Sequence, residues 1–114
     1  MKSYTDIEQS KKLAKILPIE SADTLHCIDF DGDFLCTVPK QYSASFRYQP
    51  ELTIPCWSLA ALLEVLLCPS LCITSGEWRC QCYKEDHIIA TSYADNPVDA
   101  CYEMIIKLNE QKLL

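Results

Sequence analysis

The stretch that most constrains the fold lies between residues 70 and 93. Three segments there, 70–74, 77–84 and 87–93, are separated by only two residues each, Ser75-Gly76 and Glu85-Asp86. A two-residue link can join antiparallel strands only, because a parallel pair needs a crossover of a dozen residues or more. The sequence therefore predicts an antiparallel meander. Within 77–84, Trp78, Cys80 and Cys82 alternate with Arg79, Gln81 and Tyr83, so one face of the meander is buried and the other is wet.

A helix follows directly. In Asp95-Asn96-Pro97-Val98-Asp99, Asn96 is placed to cap, Pro97 fits the first helical position, and Asp99 lies beside the positive end of the dipole. Val98, Cys101, Ile105 and Leu108 then form one apolar stripe. At the start of the chain, Thr5-Asp6-Ile7-Glu8 reads as a capping box with Thr5 as cap, opening a helix that runs to Leu17 and stops before Pro18. Ile7, Ser10, Leu13, Ala14 and Leu17 share its inner face, and Lys11, Lys12 and Lys15 form a solvated stripe. Ser58 is a candidate cap for a third helix over 59–67, apolar on nearly every side and ended by Pro69.

Residues 24–30 and 34–38 flank Asp31-Gly32, a pair suited to a type I′ hairpin turn. His26, Ile28 and Phe30 face one side of the first strand and Leu25, Cys27 and Asp29 the other, with Phe34, Cys36 and Val38 aligned in the second. Residues 39–55, which contain Pro39, Pro50 and Pro55, read as a long loop with a short edge strand at 43–48. The order α-β-β-α-β-β-β-α predicts one α+β domain over residues 1–114, an antiparallel sheet of about five strands with three helices packed mainly on one face.

Composition narrows the function. Hydrophobic residues make up 49% and charged residues 23%, the profile of a globular chain. A net charge of -6, with Arg47 and Arg79 the only arginines, argues against nucleic acid, whose recognition relies on clustered cations. The longest apolar stretch, 59–68, contains Glu64 and is too short to span a bilayer, and the start of the chain lacks the apolar run of a signal peptide. The expectation is a cytoplasmic protein, off the membrane, whose eight cysteines are free thiols and which needs no cofactor.

The phrases YTDIEQSKKLAKILPIESAD, IPCWSLAALLEVL and ADNPVDACYEMIIKLNEQKLL together resemble a group of small uncharacterised proteins of Bacteroides-type gut bacteria, often encoded in prophages or mobile elements. The resemblance covers roughly half of the chain and is carried by whole phrases, with the hairpins between them as the variable parts. It implies a cellular setting and a fold, and it carries no activity or catalytic residue.

Five constellations bear on chemistry. Ile28-Asp29-Phe30-Asp31-Gly32 resembles the core of haloacid-dehalogenase-type phosphatases, which would make Asp29 the nucleophile and Asp31 the acid/base of a Mg²⁺-dependent hydrolase. Asp33 stands where that motif needs Thr, and 114 residues are too few for the parallel core. Read as a calcium loop from Asp29, the string places Phe34 and Lys40 where Gly and Glu are required. Cys68, Cys72, Cys80 and Cys82 are candidate zinc ligands, although Cys80-x-Cys82 on a strand sets two sulfurs about 7 Å apart on one face, as in a core. Cys56 with His26 or His87 is the sole material for a Cys-His nucleophile. Finally, Trp57, Tyr42, Phe46 and Tyr48 gather aromatics around the proline-bearing loop and are candidate interface anchors. The leading expectation is a non-enzymatic interaction protein binding itself, as a homodimer, or a host protein. The alternatives are the small hydrolase and the zinc module.

Overall fold

The computed structural model describes residues 2–40 and 50–114. In chain order its elements are α1 (Ile7–Ala14), β1 (Thr24–Ile28), β2 (Phe34–Pro39), β3 (Thr53–Cys56), α2 (Leu59–Val65), β4 (Pro69–Thr74), β5 (Glu77–Lys84), β6 (His87–Ala94) and α3 (Pro97–Glu110). The class is α+β, but the strands form two antiparallel sheets of three, β2-β1-β3 and β4-β5-β6, in place of one sheet of about five. The difference arises at β3, within the stretch expected to be loop. It takes the second edge of β1, so β1 is paired on both sides. Pro55 is tolerated because β3 is an edge strand with one neighbour in the sheet. The edge strand expected at 43–48 lies outside the described residues.

Contacts group the chain into two compact units, Thr5–Ser58 and Met1–Tyr4 with Leu59–Leu114. Among the described residues, no helix is long and apolar enough to cross a membrane.

In the unit containing Leu59–Leu114, the meander follows its sequence pattern in its strands and turns, with a register shift at Ile89 and a half-buried Trp78 as the departures. Ser75-Gly76 and Glu85-Asp86 all have positive φ, 52°, 83°, 52° and 65°, as two type I′ turns require. Cys80 and Cys82 are fully buried, and their neighbours across the ladder, Ser92 and Ala90, are buried as well. That face lies against α3, where Val98, Cys101, Met104, Ile105 and Leu108 are buried and the Ser92 hydroxyl donates to the Ala100 carbonyl at 2.6 Å. On the opposite face Tyr83 donates to Gln81 (3.2 Å), and Gln81 Nε2 donates to Thr91 (3.4 Å).

α3 begins as its sequence dictates: the Asn96 side chain accepts from the Asp99 amide at 2.8 Å, Pro97 opens the helix, and Lys2 pairs with Asp99 at 2.8 Å. α2 packs on α3 but ends at Val65, short of the expected Leu67. Only one side of it is buried, through Ala61, Leu62 and, just beyond its end, Leu66, while Ala60 and Glu64 are exposed.

In the unit Thr5–Ser58, the cap of α1 is Asp6, one residue later than expected. The Asp6 carboxylate accepts from the Gln9 amide (2.8 Å), and Gln9 Oε1 accepts from the Asp6 amide (3.1 Å). Thr5 is instead a buried hub: its hydroxyl accepts from the Trp57 amide at 3.1 Å and bonds the Ser10 hydroxyl at 2.8 Å. The helix stops at Ala14, and a turn with Leu17 N–H on the Leu13 carbonyl (2.7 Å) keeps both leucines buried. Lys11, Lys12 and Lys15 are exposed. Ser58, expected to cap α2, donates its hydroxyl to the Asp23 carboxylate, whose other oxygen accepts from the Ser58 amide at 2.9 Å.

Candidate functional site

The site is built on the hairpin of β1 and β2. At its tip, the Asp29 N–H donates to the Asp33 carbonyl (2.9 Å) and the Gly32 N–H to the Asp29 carbonyl (3.0 Å). Among Asp29 to Asp33 only Gly32 has positive φ, at 88°. The loop is therefore Phe30-Asp31-Gly32, a type I turn closed by a left-handed glycine, and not the expected two-residue type I′ turn. The string's first carboxylate decides the outcome: one oxygen of Asp29 accepts from the amides of both Asp31 and Asp33, each at 2.9 Å. Backbone N–H groups at a sharp turn need acceptors, and an Asp at the first turn position supplies one locally.

A second irregularity sets which side chains meet. β1 pairs Cys27 with Cys36 but Ile28 with Phe34, so Leu35 is an extra residue and the ladder carries a β-bulge. The bulge breaks the expected alignment of Phe34, Cys36 and Val38: Phe34 falls on the face of His26 and Ile28, while Cys36 and Val38 stay together on the face of Cys27 and Leu25. Phe34 meets the His26 ring edge to face, with centroids 5.6 Å apart and planes at 79°.

His26 is held rigidly beneath it. Nε2 lies 2.6 Å from the Thr5 carbonyl, which can only accept, so Nε2 carries a proton; in the neutral ring Nδ1 then accepts from the Thr37 hydroxyl at 2.7 Å. The residue is 6% exposed, and both nitrogens are engaged.

Between the start of α1 and this face of the sheet lies a cleft of about 420 Å³, lined among the described residues by Asp6, Ile7, Glu8, His26 and Phe34. Its size suits a ligand or a partner's side chain. Its walls are almost entirely hydrocarbon and aromatic ring, and Asp6 and Glu8 among the lining residues are exposed acids. Next to it the hairpin holds large apolar groups in water: Phe30 is 87% exposed, Leu35 60% and Phe34 54%.

The other candidates do not converge here. Asp31 and Asp33 are exposed at the tip, and none of Asp29, Asp31 and Asp33 lines the cleft. Cys80 and Cys82 are fully buried, Cys68 is exposed, and Cys72 pairs with Arg79 and so lies on the opposite face of the sheet from Cys80. Among the described residues, no group of three or more His, Cys, Asp or Glu could hold a metal ion. The buried thiols are inert: interaction with Cys101, together with burial, pushes Cys80 up to about 12, and interaction with Cys80 and burial raise Cys82 further.

Cys56 is fully buried, and burial pushes its thiol up to about 11 against a hydrogen bond with Thr24 (3.0 Å). It lacks the activated thiolate a nucleophile needs. His87 is exposed at the β5–β6 turn. Trp57 is fully buried, its ring N–H donating to Ser21 at 2.9 Å, so it anchors the interior and not an interface. Tyr42, Phe46 and Tyr48 lie outside the described residues.

Sequence reasoning placed His26 and Phe34 on strands but did not link them to α1. The link depends on the bulge at Leu35, which has no local sequence signal, and on the cap at Asp6, for which Asp6-Ile7-Glu8-Gln9 offers a second capping-box pattern one residue after the first. No protein-family model, curated protein or solved structure matches the chain, so the chemistry of this cleft is read from its own residues.

Proposed function

We propose that the chain is a non-enzymatic protein-interaction module acting in the cytoplasm, and that its occupant is a second copy of itself. The observation that carries this reading is the apolar cleft walled by Ile7, His26 and Phe34, on a hairpin that also exposes Phe30 and Leu35. The tip adds Asp31 and Asp33, so the surface favours an apolar segment bearing positive charge. The chain carries the positive charge itself: Lys11 and Lys12 on α1 and Lys15 at its end are exposed, with Ala14 between them. A two-fold pair in which each tip meets the other copy's α1 satisfies both patches at once. A host protein with an equivalent basic, apolar segment is the other occupant of the same surface, in keeping with the resemblance to mobile-element proteins.

Sedimentation velocity across a concentration series tests the reading. The wild type is expected to associate, more weakly in high salt, because screening shortens the reach of the charges. The double variant Phe30→Ser, Leu35→Ser is expected to remain monomeric while unfolding within about 0.5 kcal/mol of the wild type, as exposed positions do. A wild type that stays monomeric throughout, and retains no protein that the variant fails to retain, overturns it.

A further inference from the structure

The face of the hairpin opposite the cleft holds an arrangement that the interaction reading does not use. Cys27 on β1 and Cys36 on β2 are direct partners across the antiparallel ladder, at the step where the bulge begins. Opposed residues in such a ladder have Cα atoms about 4.5–5.5 Å apart, inside the range of about 4.4–6.8 Å that a disulfide spans. Cys36 is exposed and Cys27 half-buried, so solvent reaches the pair. Their thiols interact, and burial and then Cys36 raise the Cys27 thiol above its ordinary value.

None of the other six cysteines shares this placement. Cys56, Cys80, Cys82 and Cys101 are buried. Cys80 and Cys82 are two apart on one strand, about 7 Å, too far to bridge. Cys68 is exposed before β4, and Cys72 faces Arg79.

We propose that Cys27 and Cys36 are a redox pair that closes a cross-strand disulfide and thereby fixes the register of the hairpin. The oxidant is a small disulfide of the glutathione type. The Cys36 thiolate attacks one sulfur of the oxidant and expels the first glutathione as its thiolate. Cys27 then attacks the mixed disulfide at the Cys36 sulfur and expels the second. Two electrons pass from the cysteine pair to the oxidant, and the two thiol protons end on the two glutathione products.

The consequence lies in the bulge. A hairpin with one extra residue is the place where a strand slips, and a slip of one residue turns Phe34 away from His26. A bond between Cys27 and Cys36 holds the step directly beside Leu35, so Phe34 stays on the cleft side. That regulatory consequence rests on the proposed function, whereas the bond itself does not.

The test is oxidation of the full chain with glutathione disulfide, peptide mapping without reduction, and hydrogen exchange of the amides from 28 to 35. The expected result is a Cys27–Cys36 link, absent in Cys27→Ser and in Cys36→Ser. Exchange at those amides should slow on the order of tenfold or more in the oxidised wild type alone. A glutathione adduct persisting on Cys36, a link to any other cysteine, or a link that leaves hairpin exchange unchanged overturns the proposal. Because neither readout involves a partner, a purely monomeric wild type would remove the interaction reading and leave this result standing.

Discussion

The β4-β5-β6 sheet turns twice through two residues, changes register at Ile89, covers one face with α3 and leaves Ile73, Ile88 and Tyr93 exposed. The β2-β1-β3 sheet turns through a three-residue loop, changes register at Leu35 and leaves Phe30, Phe34 and Leu35 in solvent. The first arrangement is what packing alone selects, with alternation along the strands, a matching helix stripe and thiols used as small hydrophobes. The second differs in its three-residue turn and in Phe30, an aromatic ring 87% exposed at the tip, and an apolar cleft opens beside the hairpin. A bulge and single exposed apolar side chains occur in both sheets, so what sets the hairpin apart is the cleft with His26 and Phe34 in its wall.

Three measurements break or sharpen that contrast. The largest effect belongs to the packed sheet: Ile105→Ala, at a fully buried position on α3, is expected to cost about 2–5 kcal/mol in urea unfolding, from lost transfer energy and the cavity left behind. A cost near zero would mean that α3 does not seal the sheet.

A pH titration gives the next. In the folded chain Cys80 is raised to about 12 and Cys56 to about 11, whereas both thiols ionise near their ordinary values once unfolded. From about pH 9 upward the unfolded state sheds protons that the folded state keeps. Stability therefore falls as pH rises, by up to about 1.4 kcal/mol per pH unit for each thiol, until the folded-state value is reached. Cys80→Ala should flatten this slope, and denaturation at a series of alkaline pH values measures it.

The smallest effect concerns the turns. Glu85 is a long, unbranched side chain at φ 52°, a conformation that disfavours every residue with a Cβ. Glu85→Gly is expected to stabilise by about 1 kcal/mol, read as a rise in melting temperature. No rise would mean that the β5–β6 turn gains from Glu85 something its backbone does not reveal.

How much of this was legible depended on whether the signal was local. Asn96-Pro97 and Ser75-Gly76 fix backbone geometry within a few residues, and the structure follows them. β3 was not legible, because Thr53-Ile54-Pro55-Cys56 contains a proline and becomes a strand only by taking the free edge of β1, more than twenty residues away in sequence. The cap of α1 moved from Thr5 to Asp6 because a tertiary contact, the Trp57 amide, claims the Thr5 hydroxyl. The cleft required that cap and the bulge together. Asp29, which alone looked like a nucleophile, proved to be the acceptor that folds its own turn.

The four buried cysteines have a practical use. Cys56 lies in one compact unit and Cys80, Cys82 and Cys101 in the other, all shielded while the chain is folded. A thiol reagent added under native conditions reaches each only when its surroundings open, so labelling followed by mass mapping reads the opening equilibrium at each site. The chain thus carries its own reporters. Equal labelling rates at Cys56 and Cys101 would show the two units breathing as one, and a gap between them would show which yields first.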